Sequence, residues 1–108
     1  MAKWENKANQ ERAAIFKALG HTLRLAILDE LQNGECCVQD LMEKLDCEQS
    51  NLSRHLAVLK QTGIIDCRKD GLYVYYSLAI PCISNIFKCV NQVIAKRIEA
   101  NQEISKQL

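Results

Sequence analysis

The sequence predicts a mainly α-helical fold carrying one β-hairpin, a winged helix-turn-helix that becomes dimeric through its terminal helices. Three observations carry that expectation. Apolar residues recur at helical spacing in four successive segments before residue 63, each closed by a Gly, an Asn or a short polar link. The pattern then switches to alternation around an Asp-Gly pair. Finally, the C-terminal segment carries two adjacent apolar rows, more than one small core can cover. The 108 residues read as a single domain, 1–108, with dimerisation helices at 1–19 and 80–108, a helix-turn-helix at 38–62 and a wing at 64–78.

The first helix is expected from Lys3 to Leu19, with Trp4, Ala8, Ile15 and Leu19 on one face and Gly20 as its stop. A second helix starts at His21 or Thr22 and carries Leu23, Ala26, Ile27 and Leu31 before Asn33 and Gly34 end it. Val38, Leu41, Met42 and Leu45 occupy i, i+3, i+4 and i+7, which predicts a short third helix. After the link "DCEQ" a fourth helix, "QSNLSRHLAVLKQTG", keeps Leu52, Leu56 and Leu59 in step and closes at Gly63. Two such helices joined by a short turn form a helix-turn-helix. In "IIDCRKDGLYVYYSL", Ile64 to Arg68 and Leu72 to Leu78 read as strands with Asp70 and Gly71 as the two-residue turn. Pro81 fits the first turn of a last helix. There Ile83, Phe87, Val90, Ile94 and Ile98 form one row and Cys82, Ile86, Cys89 and Val93 a second, and a second copy of the chain is the simplest cover for so wide a stripe.

Charge and composition narrow the function classes. Fourteen Lys plus Arg oppose thirteen Asp plus Glu, so a nucleic-acid surface has to arise from local placement of charge. No stretch approaches the roughly 18 consecutive apolar residues of a membrane span, and the first residues are unlike a signal peptide, so a cytoplasmic protein with no membrane partner is expected. An enzyme is disfavoured, since no Cys and His pairing or glycine-rich loop offers a nucleophile with its base and oxyanion site. A pure protein-interaction module that uses the terminal stripe is the other competing class.

The fourth helix is the most informative segment. With its leucines inward, Ser50, Arg54, Ala57 and Gln61 line the opposite face, flanked by Asn51 and Ser53. This face is small and rich in donors, suited to a major groove about 12 Å wide, where Arg matches guanine and Asn or Gln adenine. Gln49, His55 and Lys60 on the same helix, and Arg68 and Lys69 beside the hairpin tip, complete the expected DNA-binding set.

Taken together, "IFKALGHTLRLAILDELQNGE", "QSNLSRHLAVLKQTGII" and "RKDGLYVYYSL" resemble the ArsR/SmtB family of dimeric winged-helix repressors over Ile15 to Leu78. The resemblance implies a homodimer whose first and last helices pair. It implies binding to double-stranded operator DNA, an inverted repeat, without any cofactor, and release when a metal ion, metalloid or thiol oxidant reaches a sensory site. Thr22 stands where the family commonly has proline.

Six cysteines in a reducing compartment point to thiolate chemistry rather than a disulfide scaffold, and no zinc-finger pair of CxxC motifs exists. Members resembling this chain often carry "CVC" at the start of the third helix. Here the text is "ECCVQDL": Cys37 matches the first cysteine, Gln39 stands at the second, and Cys36 supplies a thiol one residue early. Cys82 and Cys89 lie seven residues apart on one helical face, about 10.5 Å along the axis, too far for a mutual disulfide. Thiolates drawn from Cys36, Cys37, Cys82 and Cys89 are the expected sensor of a soft ion such as arsenite, cadmium or lead. The alternative is a redox switch in which two of them form a disulfide or persulfide. Cys47 and Cys67 are read as small hydrophobes, and a hard-metal site is disfavoured because the last helix has no histidine.

Overall fold

A computed structural model describes residues 2–107, so the predicted ends at 1 and 108 lie outside the described residues. The order is a 3₁₀ turn (Lys3–Glu5), α1 (Lys7–Leu19), α2 (Thr22–Leu31), β1 (Cys36–Cys37), α3 (Val38–Leu45), α4 (Gln49–Thr62), β2 (Ile65–Asp70), β3 (Tyr73–Leu78) and α5 (Ile83–Gln107).

The expected first helix is broken at Asn6. Its backbone is extended and its side-chain oxygen accepts the N–H of Asn9 at 2.8 Å, so Asn6 caps α1, a role its short amide serves better than a helix interior. His21 caps α2 by accepting the N–H of Leu23 on Nδ1. Between α3 and α4 the chain reverses through Asp46 in the left-handed region (φ 49°), which a short polar side chain tolerates. α4 ends as expected at Gly63 (φ 86°): Gly63 N–H bonds the Lys60 carbonyl and Ile64 N–H the Leu59 carbonyl, a Schellman closure.

The sheet has three strands in the order β1-β3-β2, all antiparallel. The two-residue β1 formed by the vicinal cysteines has no sequence signature. In the hairpin, Asp70 pairs with Tyr73, so the turn residues are Gly71 and Leu72 and not Asp70 and Gly71. Gly71 holds φ 62° while Leu72 does not have positive φ, and glycine at the first of two turn positions is the requirement of a type II′ hairpin. α5 starts two residues beyond Pro81, where the Ile86 N–H reaches the Cys82 carbonyl.

Ile27, Leu28, Leu41, Leu52, Leu56, Leu59, Ile65 and Ile83 are essentially sealed from solvent and join α2, α3, α4 and the sheet in one core. The outer helices contribute little to it. α1 buries only Ala18 and Leu19, and α5 buries Ile83, with Ile86 and Phe87 packed partly against the core. Beyond that point Val90, Val93, Ile94 and Ile98 are each about half exposed, as are Phe16 and Ile15 on α1. An apolar groove of about 310 Å³ runs between them, lined by Phe16, Leu25, Phe87, Val90 and Ile94 among others. No helix of the described residues is long and apolar enough to cross a membrane.

Candidate nucleic-acid interface

On α4 the three leucines face the core, and Gln49, Ser50, Asn51, Ser53, Arg54, Ala57, Lys60 and Gln61 are exposed. Arg54 donates from Nη2 to Asn51 Oδ1 at 2.8 Å, one turn earlier, which holds the guanidinium over the leading end of the helix. Glu48, at the N-cap, makes no side-chain bond to the first turn, so no side chain of the cap competes for those N–H groups. A helix start of this kind attracts anions.

His55 departs from the expected set. It is only 4% exposed and faces inward, accepting a hydrogen bond on Nδ1 from Arg24 Nε at 3.0 Å. The reason is angular: His55 stands three residues after Leu52 and one before Leu56, on the buried stripe rather than the outer face.

The wing charges also divide differently from the expectation. Arg68 forms a two-pronged pair with Glu35, Nε to Oε2 at 2.8 Å and Nη2 to Oε1 at 2.6 Å, with Asp70 nearby at 3.6 Å. Its guanidinium also lies 4.7 Å from the centre of the Tyr75 ring. Glu35 holds the Arg68 proton more firmly than usual, and the hydrogen bond from Arg68 pulls the Glu35 carboxyl below its ordinary range. Lys69 is exposed and has no ion pair among the described residues. Lys60, at the far end of α4, stands beside the Cys67 thiol, which raises the lysine's proton affinity.

The register places cysteines in two cross-strand rows. Cys36, Tyr76 and Cys67 share one face of the sheet, and Cys37, Tyr75 and Arg68 the other. Cys36 and Cys37 are both buried, whereas Cys82, in the turn just before α5 and not within the helix as expected, and Cys89, two turns into α5, are exposed. Burial raises the Cys36 thiol above its ordinary range, with Asp40, Cys37 and Glu30 adding to the rise and Lys44 opposing it. Among the described residues no three His, Cys, Asp or Glu side chains gather as a metal-binding group. Within one chain the four expected sensory cysteines therefore do not form a three-ligand site.

The family model for "Bacterial regulatory protein, arsR family" matches residues 21–66, which is α2 through the first strand of the wing. Rv0081 of Mycobacterium tuberculosis, an HTH-type transcriptional regulator, is 35% identical over 86 residues, 79% of this chain and 75% of that protein. This chain belongs to the arsR family of DNA-binding transcriptional regulators. The crystal structure of Rv0081 superposes with a TM-score of 0.80 at 31% identity, covering 90% of this regulator and 98% of that chain. The homodimeric winged helix-turn-helix domain of Mb0332 from Mycobacterium bovis superposes with a TM-score of 0.77 at 27% identity, over 93% of each chain. The arsenical resistance operon repressor of Escherichia coli is 46% identical over 68 residues, 60% of this regulator and 56% of that protein. These relatives are regulators, not enzymes.

Two groups in the interface region escaped sequence reasoning. Glu35 is 33 residues from Arg68, and Arg24 is 31 from His55. Pairs at such separation leave no local periodicity, and only the fold brings them together.

Proposed function

We propose that this regulator is a homodimeric repressor that places the outer face of α4 in successive major grooves of an inverted-repeat operator. The observation that carries this reading is the division of α4: sealed leucines on one side, and Ser50, Asn51, Ser53 and Arg54 exposed together on the other. Arg54, set by Asn51, reads a base edge. Gln49, Ser50 and Ser53, with the first-turn N–H groups, hold the phosphates. Lys60 and Lys69 add phosphate contacts, while Arg68, exposed but paired with Glu35, ties the wing to the loop leading into β1. The half-exposed apolar residues of α1 and α5 pair with those of a second copy, an arrangement supported by the homodimeric Mb0332 domain.

Release of the operator follows from chemistry at Cys36, Cys37, Cys82 and Cys89. Soft thiolates suit arsenite, cadmium or lead, and the likeness to the E. coli arsenical repressor favours that class. Because the four do not meet within one chain, the site draws on the partner copy or on a shift of α5. A redox switch is the second reading, favoured by the fact that a disulfide needs two thiols rather than three. Two thiols would pass two electrons and two protons to an oxidant as the S–S bond forms.

The test is operator binding by fully reduced protein, titrated separately with arsenite, cadmium and a mild oxidant while free thiols are counted. Release at stoichiometric ion, reversed by a chelating dithiol, establishes the soft-ion sensor. Release by oxidant alone, with two thiols lost per subunit, establishes the redox switch.

A further inference from the structure

We infer that His55 is a positioning residue of the operator-reading helix, a neutral acceptor that seats α4 on α2, so that operator binding falls in mild acid. The inference rests on the operator reading above. Arg24 is the hub: Nε donates to His55 Nδ1 at 3.0 Å and Nη1 to the Ala18 carbonyl at 3.2 Å, tying the end of α1, α2 and α4 together. The His21 ring lies against His55 with centroids 4.1 Å apart. His21 likewise uses Nδ1 as an acceptor, from the N–H of Leu23, which caps α2. A ring nitrogen accepts only while it carries no proton. Adding one to His55 turns the Arg24 contact into donor against donor.

The surroundings offer nothing to offset that charge. The groups whose charge bears on His55 are His21 at the head of α2, Arg24 within α2 and Arg54 on α4 itself; among the described residues no carboxylate from α1, α3 or β2 is among them. Burial first, then these positive neighbours, hold His55 less basic than a free imidazole. The sign follows: the fold favours the neutral ring, so the stabilisation is complete above the free-chain value of 6.5 and shrinks as pH falls below it. Arg54, the residue before His55 on α4, belongs to the outer face, so a shift of α4 displaces the reading side chains. This runs against the ordinary trend, because added positive charge alone tightens binding to phosphates.

The experiment measures affinity of the full chain, at constant salt and pH 7.5 to 5.5, for a duplex enriched by the protein from a random pool at pH 7.5. The wild type should lose affinity on acidification, by up to about tenfold per pH unit for each proton taken up. His55→Asn keeps an acceptor oxygen near the Nδ1 position without titrating, and its profile, relative to its own value at pH 7.5, should be flattened. His21 is the only other histidine, and the H21N/H55N double variant should be flat. Imidazole nitrogen spectra of the wild type, which need no variant to fold, should show His55 Nδ1 unprotonated at pH 7.5 and its protonation tracking the loss of binding. A wild-type affinity that holds or rises in acid, a full decline retained in His55→Asn, or Nδ1 protonated at pH 7.5 overturns the inference alone. Failure to select any duplex at pH 7.5 overturns the operator reading and this inference with it.

Discussion

Arg68 and Lys69 are adjacent cations on one strand, yet their surroundings give them different work. Both guanidinium edges of Arg68 used in the pair with Glu35 are already committed, whereas the Lys69 ammonium faces solvent. Lys69→Ala should therefore weaken binding to selected and scrambled duplexes alike and reduce the slope of log affinity against log salt by about 1, the signature of one lost phosphate contact. Arg68→Ala should leave that slope nearly unchanged. A slope change for Arg68→Ala equal to that of Lys69→Ala would show that the Glu35 pair opens on DNA. From sequence the two residues look equivalent, because charge and position near the tip are all that the sequence displays. The outer residues of α4 were legible for the opposite reason: one helical period fixes which side chains oppose the leucines, and only His55, next to the leucine stripe, was placed on the wrong side.

Among the elements, those set by local rules were readable and those set by tertiary pairing were not. α2, α3, α4 and the hairpin follow from apolar spacing, Gly63 and the glycine at 71, although the turn falls at Gly71 and Leu72, one residue later than the expected Asp70 and Gly71. β1 exists because Cys36 and Cys37 meet Tyr76 and Tyr75 on β3, a partner some 40 residues away that no periodicity announces. Asn6 broke the expected first helix because a cap competes locally with helix continuation. Leu56 lies wholly within the core on α4, so Leu56→Ala should lower unfolding stability by about 2–5 kcal/mol in a denaturant titration. Gly71→Ala forces an alanine into φ 62° at the wing tip, with no neighbour within 4 Å of the added carbon, so its cost is conformational, about 1 kcal/mol. A stability gain for Gly71→Ala would mean that the turn is not of the type described.

The whole molecule exposes more apolar surface than a self-sufficient chain needs, and most of that surface lies on α1 and α5, with Trp4, Leu25, Leu72 and Tyr73 exposed elsewhere. Ile94 lies on the wall of the α1–α5 groove and is 46% exposed. Ile94→Glu should move the protein from dimer to monomer in sedimentation and weaken operator binding with it, since a charge at a core interface position is costly to bury. An Ile94→Glu protein that stays dimeric would move the interface elsewhere. The width of the last apolar stripe is visible from sequence alone, but the depth of the groove and the broken first helix required the fold. In the proposed complex each copy reads DNA through the outer face of α4. The most direct measurement compares wild type and Arg54→Ala on a duplex enriched from a random pool and on its scrambled counterpart. The expected loss is about 1–3 kcal/mol for each Arg54 that reads a base, on the enriched duplex only. An equal loss on both duplexes, or none on either, would contradict that mode of reading.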